Sequence, residues 1–89
     1  MTTKTWTVQV LLNEDGDDTI ADAALTVENT LQLRGHGTSR RNPRDESEPR
    51  IGDELAAARA LSDLAHELLA AAASDIESKT HVPATSLHL

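Results

Sequence analysis

Five of the eight basic residues in the chain, Arg34, Arg40, Arg41, Arg44 and Arg50, fall between positions 34 and 50. Arginine presents a planar fork of donors that fits phosphate oxygens two at a time, so this cluster is a candidate contact to an RNA backbone, a ribosomal surface or another acidic partner. No aromatic residue is interleaved with the arginines, so base stacking has no platform and contact would be confined to the backbone. The competing reading is an ordinary polar loop in which Asp45, Glu46 and Glu48 pair with these side chains.

Other chemistries fit less well. Residues 13–28 carry six acids and no base. The stretch from Asn13 to Asp18 clusters oxygens as a hard cation requires, but its spacing departs from a D-x-D-x-D-G loop, and Ala24 stands where the bidentate glutamate belongs. A solvated hairpin turn is expected instead. His36, His66, His81 and His88 lack the i, i+4 pairing that holds zinc on a helix, and no serine sits in a G-x-S-x-G elbow. Gly35-His36-Gly37 lacks the third glycine and the following helix of a phosphate loop. The absence of cysteine excludes disulfides, thiol catalysis and thiolate metal sites. The expectation is a non-enzymatic protein with no catalytic residue, no metal, no cofactor and no small-molecule substrate.

Eighty-nine residues allow one domain. With a single aromatic residue, Trp6, the core must be filled by Leu, Val, Ile and Ala, and a chain this short buries only ~60–65% of its unfolded surface. Small chains without disulfides or metals often gain stability by pairing, which makes a homodimer the expected state. The formal charge of −7 repels phosphate at long range, although a local arginine cluster can still act within ~8 Å. No apolar run approaches the ~18 residues of a membrane span, and the first residues lack the pattern of a secretory signal, so a cytoplasmic protein is expected.

The elements that must position the arginines can be read from hydropathy. Trp6, Val8, Val10 and Leu12 alternate on one face of a strand over residues 4–13, and the Asp15-Gly16 turn reverses the chain. Ala21, Ala23, Leu25 and Val27 continue the period of two in a strand over 19–27, and a third strand covers 31–40. Gly35 and Gly37 in that strand mark a bulge or a close backbone approach, where the strand should bend or fray. Residues 41–50 read as a loop, 52–73 as a helix opened by Asp53 and Glu54, and 75–79 as a short helical turn after a capping box at Ser74-Asp75-Ile76-Glu77. An extended tail over 80–89 completes the chain. At 100° per residue, Leu55, Leu61, Leu64, Leu68, Leu69 and Ile76 belong to an apolar arc of about half the helix circumference, wider than one sheet needs. These residues are the expected core or dimer face. The fold class is α+β: a three-stranded antiparallel sheet followed by a long C-terminal helix, completed by dimerisation.

Arg41-Asn42-Pro43, Ile51-Gly52-Asp53-Glu54-Leu55, Arg59-Ala60-Leu61-Ser62-Asp63-Leu64, Asp75-Ile76-Glu77 and Thr80-His81 with Pro83, together with Trp6-Thr7-Val8, carry a resemblance. They are similar to a family of small actinobacterial proteins of unknown function described as double-stranded-RNA-binding-domain-like. The resemblance spans almost the whole chain. It implies the same sheet-and-helix fold, a dimer and, for dormancy-associated relatives, a likeness to ribosome hibernation factors, and it brings no catalytic residues. Together these readings give a dimeric cytoplasmic module that docks to the ribosome or to RNA in stress or dormancy through the arginines. The alternative is a regulatory protein-interaction module that touches no nucleic acid.

Overall fold

Two tight turns fold the first forty residues into an antiparallel meander. In the computed structural model, which describes residues 1–42, 44 and 48–81, β1 spans Thr7–Asp15, β2 Asp18–Val27 and β3 Thr30–Arg40. The sheet order is β1-β2-β3. The first turn needs a left-handed backbone at its leading position, and Gly16 supplies it at φ 62 without the steric cost a Cβ would bring. The second turn places Glu28 at φ 53 and Asn29 at φ 64, the two left-handed positions of a mirror-image hairpin turn. Glutamate is costly there. Replacing the pair by Asn-Gly (Glu28→Asn with Asn29→Gly) is expected to stabilise the chain by ~0.5–1 kcal/mol. The corresponding rise in Tm is roughly 3–6 °C. A thermal melt checks this, and an unchanged or lower Tm would contradict the turn conformation.

Register decides which side chains share a face. Val8, Leu25 and Leu33 form one cross-strand row, Val10, Ala23 and Gly35 the next, then Leu12, Ala21 and Gly37. These rows lie under the helix α1, Pro49–Thr80, which packs over β3 and β2 and barely touches β1. Ala21, Ala23 and Leu25 from the sheet meet Ala56, Ala60 and Leu64 from the helix, and these six are the buried core. Val10, Val27, Leu33 and Leu68 pack around them.

The helix docks by its smallest side chains because β3 has none at the contact. A Cβ on Gly37 would stand 2.5 Å from the Ala56 carbonyl oxygen, and one on Gly35 would stand 2.8 Å from the Leu64 Cα, with other backbone atoms nearer still. Such contacts never occur between real atoms, so backbone lies against backbone. Gly35 and Gly37 are therefore a close approach. β3 does not fray there but stays paired with β2 through both glycines, and the one irregularity in its pairing lies between Leu25 and Thr26 of β2.

The helix differs from the sequence expectation in three ways. It begins at Pro49, whose fixed φ suits the first helical position, and Asp53 and Glu54 consequently lie beyond the first turn instead of opening it. It runs unbroken through Ser74-Asp75-Ile76-Glu77, because alanine-rich sequence on one side and the absence of proline or glycine leave nothing to end it. Termination comes at His81, whose left-handed backbone at φ 58 lets its N–H donate to the Glu77 carbonyl at 2.8 Å. Only part of the expected apolar arc meets the sheet. Leu64 is buried and Leu68 and Leu69 are half-buried, but Leu55, Leu61 and Ile76 are exposed at 45%, 44% and 43%. Ala56 and Ala60, which the leucine pattern hides, hold the sheet instead. β1 starts later than residue 4 and extends to Asp15, because the turn takes only two residues. The tail beyond His81 lies outside the described residues. No helix among the described residues is long and apolar enough to cross a membrane.

Candidate functional site

The end of the sheet where β3 leaves and α1 begins gathers most of the arginines. Arg40 closes β3 in register with Asp18, and its Nε lies 3.4 Å from that carboxylate. Arg41 donates from Nη2 to Asp17 at 2.5 Å, and its backbone N–H donates to the Asp17 carbonyl at 2.8 Å. Arg50, in the first turn of α1, pairs with Glu54 at 3.1 Å. The backbone N–H of Arg44 donates to Asn42 Oδ1 at 3.1 Å. Arg34 does not join them. Six residues back along β3, it lies ~20 Å away in register with Ala24, on the sheet face opposite the helix.

The acids that meet these arginines come from the β1–β2 turn and the helix. Of the three expected partners, Asp45 and Glu46 lie outside the described residues, and Glu48 stands at the N-cap of α1. The acidic turn thus has a structural use, since Asp17 and Asp18 tie the start of β2 to the end of β3. The Arg41–Asp17 pair is only about a third exposed, whereas Arg50 and Glu54 are largely in water. A double-mutant cycle on Arg41 and Asp17 is expected to give a coupling of ~0.5–1 kcal/mol in chemical denaturation, with a smaller value for Arg50 and Glu54. Equal couplings would contradict this ordering.

Between the turn and the helix start lies a cavity of about 280 Å³, bounded among others by Arg40, Arg41, Thr19, Ser39, Ile51 and Gly52. Ser39 is buried and donates its hydroxyl to the Gly52 carbonyl at 2.8 Å, fixing the first turn of the helix to the sheet. Acids and bases share the cavity wall, so its charge favours neither sign strongly.

Two charged side chains of α1 meet the outer edge of β3. Asp63 accepts the backbone N–H of His36 at 2.8 Å, and Arg59 donates to the Thr38 carbonyl at 2.7 Å. Both backbone groups would otherwise face solvent as an unpaired strand edge. The i, i+4 spacing of Arg59 and Asp63 beside the Ala56 and Ala60 stripe was the available signal. The His36 ring faces Asp22 across the sheet at 2.8 Å. Leu11, an inert side chain, is third in that row. The His66 ring meets the Ser62 carbonyl at 2.7 Å on the helix surface, and His88 lies outside the described residues.

Exposed apolar side chains remain on both layers. Val8 and Leu12 on the helix-facing side of β1 are exposed at 43% and 39%, because α1 lies over the other two strands. Trp6, Leu11, Leu31, Ile51, Leu55, Leu61 and Ile76 are exposed as well.

A meander of three strands under one long helix, with paired charges at one end and uncovered apolar flanks, defines a small α+β protein of sheet-plus-helix type. The chain belongs to the Rv2632c-like family, whose model matches residues 4–85. It is 49% identical over 85 residues to an uncharacterised protein of Mycobacterium tuberculosis, Rv2632c, covering 96% of this chain and 90% of that one. It is 45% identical over 83 residues to an uncharacterised protein of Mycobacterium bovis, Mb1767, covering 93% and 87%. The crystal structure of Rv2632c superposes with a TM-score of 0.82 at 46% identity, covering 93% of this chain and 98% of that one.

Proposed function

We propose that this chain is a non-enzymatic interaction module of the cytoplasm that works as a homodimer and binds protein partners through apolar surface. The observation that carries the reading is the exposure of Val8, Leu12, Leu55, Leu61 and Ile76 on a chain whose core, among the described residues, holds only six small or medium side chains. Side chains of this kind scattered singly need no explanation, but Val8 and Leu12 share the helix-facing side of β1, which α1 leaves uncovered. The arginines support this reading too, since Arg40, Arg41 and Arg50 already meet carboxylates and a net charge of −7 opposes a polyanion.

Docking to the ribosome or to an RNA backbone in stress or dormancy is the second reading. It is favoured by the convergence of Arg40, Arg41 and Arg50 at the end of the molecule where the helix starts. Sedimentation with ribosomes at ~50 and ~200 mM salt separates the two, since phosphate contacts weaken steeply with salt. The protein-binding reading predicts absence from ribosomal fractions at both salts and partners that survive nuclease treatment. Salt-sensitive co-sedimentation that is lost in an Arg40→Ala, Arg41→Ala double variant would establish the second reading in its place.

A further inference from the structure

The two edges of the sheet are treated differently. The outer edge of β3 is closed by Asp63 and Arg59, which occupy the His36 N–H and the Thr38 carbonyl. A strand added there would have to displace two charge-assisted hydrogen bonds. β1, the other edge, has no such cover among the described residues, and its only charges, Glu14 and Asp15, stand at its last two positions. It is nine residues long, its register with β2 is unbroken, it holds no proline, and residues 5–13 bear no charge. It also exposes Val8, Leu11 and Leu12, and the exposed Trp6 stands immediately before it. A long, regular edge that is neutral and largely apolar up to its last two residues is the kind that pairs with another strand.

We infer that β1 is the self-association edge, and that two copies pair β1 to β1 antiparallel into one six-stranded sheet. The inference rests on the homodimer reading and names its interface. Charge selects a second copy as the occupant and also sets the register. Lys4, three residues before β1, precedes the neutral run and Glu14 ends it, so an antiparallel partner of the same sequence that draws residues 4–6 into the ladder brings opposite signs together at both ends. The two-fold axis must stand normal to the sheet, which keeps Val8, Val10 and Leu12 of both copies on the helix-bearing face. Centred on Gln9, the pairing sets Lys4 against Glu14, Trp6 against Leu12 and Val8 against Val10, with Thr7 against Leu11 on the opposite face. Centred on Val10, it would set Trp6 against Glu14 and Lys4 against Gly16, which loses both complementarities. In the assembled sheet the two helices lie on one face, ~20 Å apart over the outer strands. The flank of α1 bearing Leu61 and Leu68, opposite Arg59 and Asp63, then faces the apolar central strands.

The opposed pair of Thr7 and Leu11 gives a test that spares the core, because both side chains point away from the helix. The Thr7→Lys, Leu11→Lys double variant places lysine against lysine twice across the axis, and Thr7→Lys, Leu11→Glu places lysine against glutamate twice. Light-scattering mass and circular dichroism are read for wild type and both variants at matched concentration. The expected result is a wild-type mass of twice 9.6 kDa, a folded monomer for the lysine pair with its Kd raised at least ~100-fold, and a dimer for the opposite-charge pair. A monomeric wild type overturns the homodimer reading together with this interface. A wild-type dimer that the lysine pair leaves intact overturns the β1 edge alone. A lysine pair that dissociates without rescue by the opposite-charge pair overturns the register.

Discussion

Gly37→Ala is expected to cost this protein ~3 kcal/mol or more, and Gly35→Ala a similar amount. The added methyl group would meet the Ala56 carbonyl oxygen or the Leu64 Cα, together with nearer backbone atoms of the helix, and none of these is the far end of a flexible side chain that could swing away. Relief requires α1 to lift from β3 along the whole contact. Lifting it separates Ala56, Ala60 and Leu64 from Ala21, Ala23 and Leu25, so the cost of overpacking compounds with lost burial. A chain of this length has a total stability of only about 4–13 kcal/mol, so the double variant is expected to be unfolded in water. Urea denaturation followed by circular dichroism measures both. A loss below ~0.5 kcal/mol for either single variant would show that helix and strand do not approach as closely as described.

Leu25→Ala is expected to cost ~2–5 kcal/mol, the range for deleting most of a buried leucine and leaving a cavity. Leu25 is 2% exposed and is the largest fully buried side chain among the described residues. It stands between Val8 and Leu33 across the sheet, and the core it shares is otherwise alanine and Leu64, which have little freedom to refill the space. Leu64→Ala, on the helix side of the same contact at 3% exposure, is expected to fall in the same range. Leu55→Ala, on a residue 45% exposed and away from the sheet, is expected to cost less than ~1 kcal/mol. The three variants together test which face of the helix docks. The leucine-centred arc predicts comparable losses for Leu55 and Leu64, whereas docking through the alanine stripe predicts a difference of more than ~1 kcal/mol.

The strands were legible because their signal is local. Alternation from Val8 to Leu12 and from Ala21 to Val27, a glycine at the first turn and an Asn-containing second turn are each decided within a few residues. The helix was legible in existence and poorly legible in orientation. A pattern of leucines reports which side chains are most apolar, but the face that docks is set by the partner surface, and here that surface is two glycines. Gly35 and Gly37 suggested a close approach from sequence, and following that hint to Ala56 and Ala60 requires knowing that β3 lies under the helix. The capping box at Ser74 misled for a related reason: a short motif is overridden where the flanking sequence favours helix on both sides. The arginine cluster was visible, but its partners were not. Asp17 and Asp18 lie more than twenty positions away in the chain and become neighbours only through the β1–β2 turn and the β2–β3 register. The edge contacts of Arg59 and Asp63 belong to the same class, since sequence shows two charged residues on a helix and only the fold shows the strand edge beside them.

Amide hydrogen exchange, resolved residue by residue in dilute and in concentrated solution, tests the central claim most directly: this sheet has one edge closed by its own helix and one left open for a second copy. The His36 amide is expected to be protected at both concentrations, because Asp63 of the same chain accepts it. The outward-facing amides of β1 are expected to exchange freely when dilute and to become protected when concentrated. Protection of those β1 amides in dilute solution, or free exchange at both concentrations, would contradict the account.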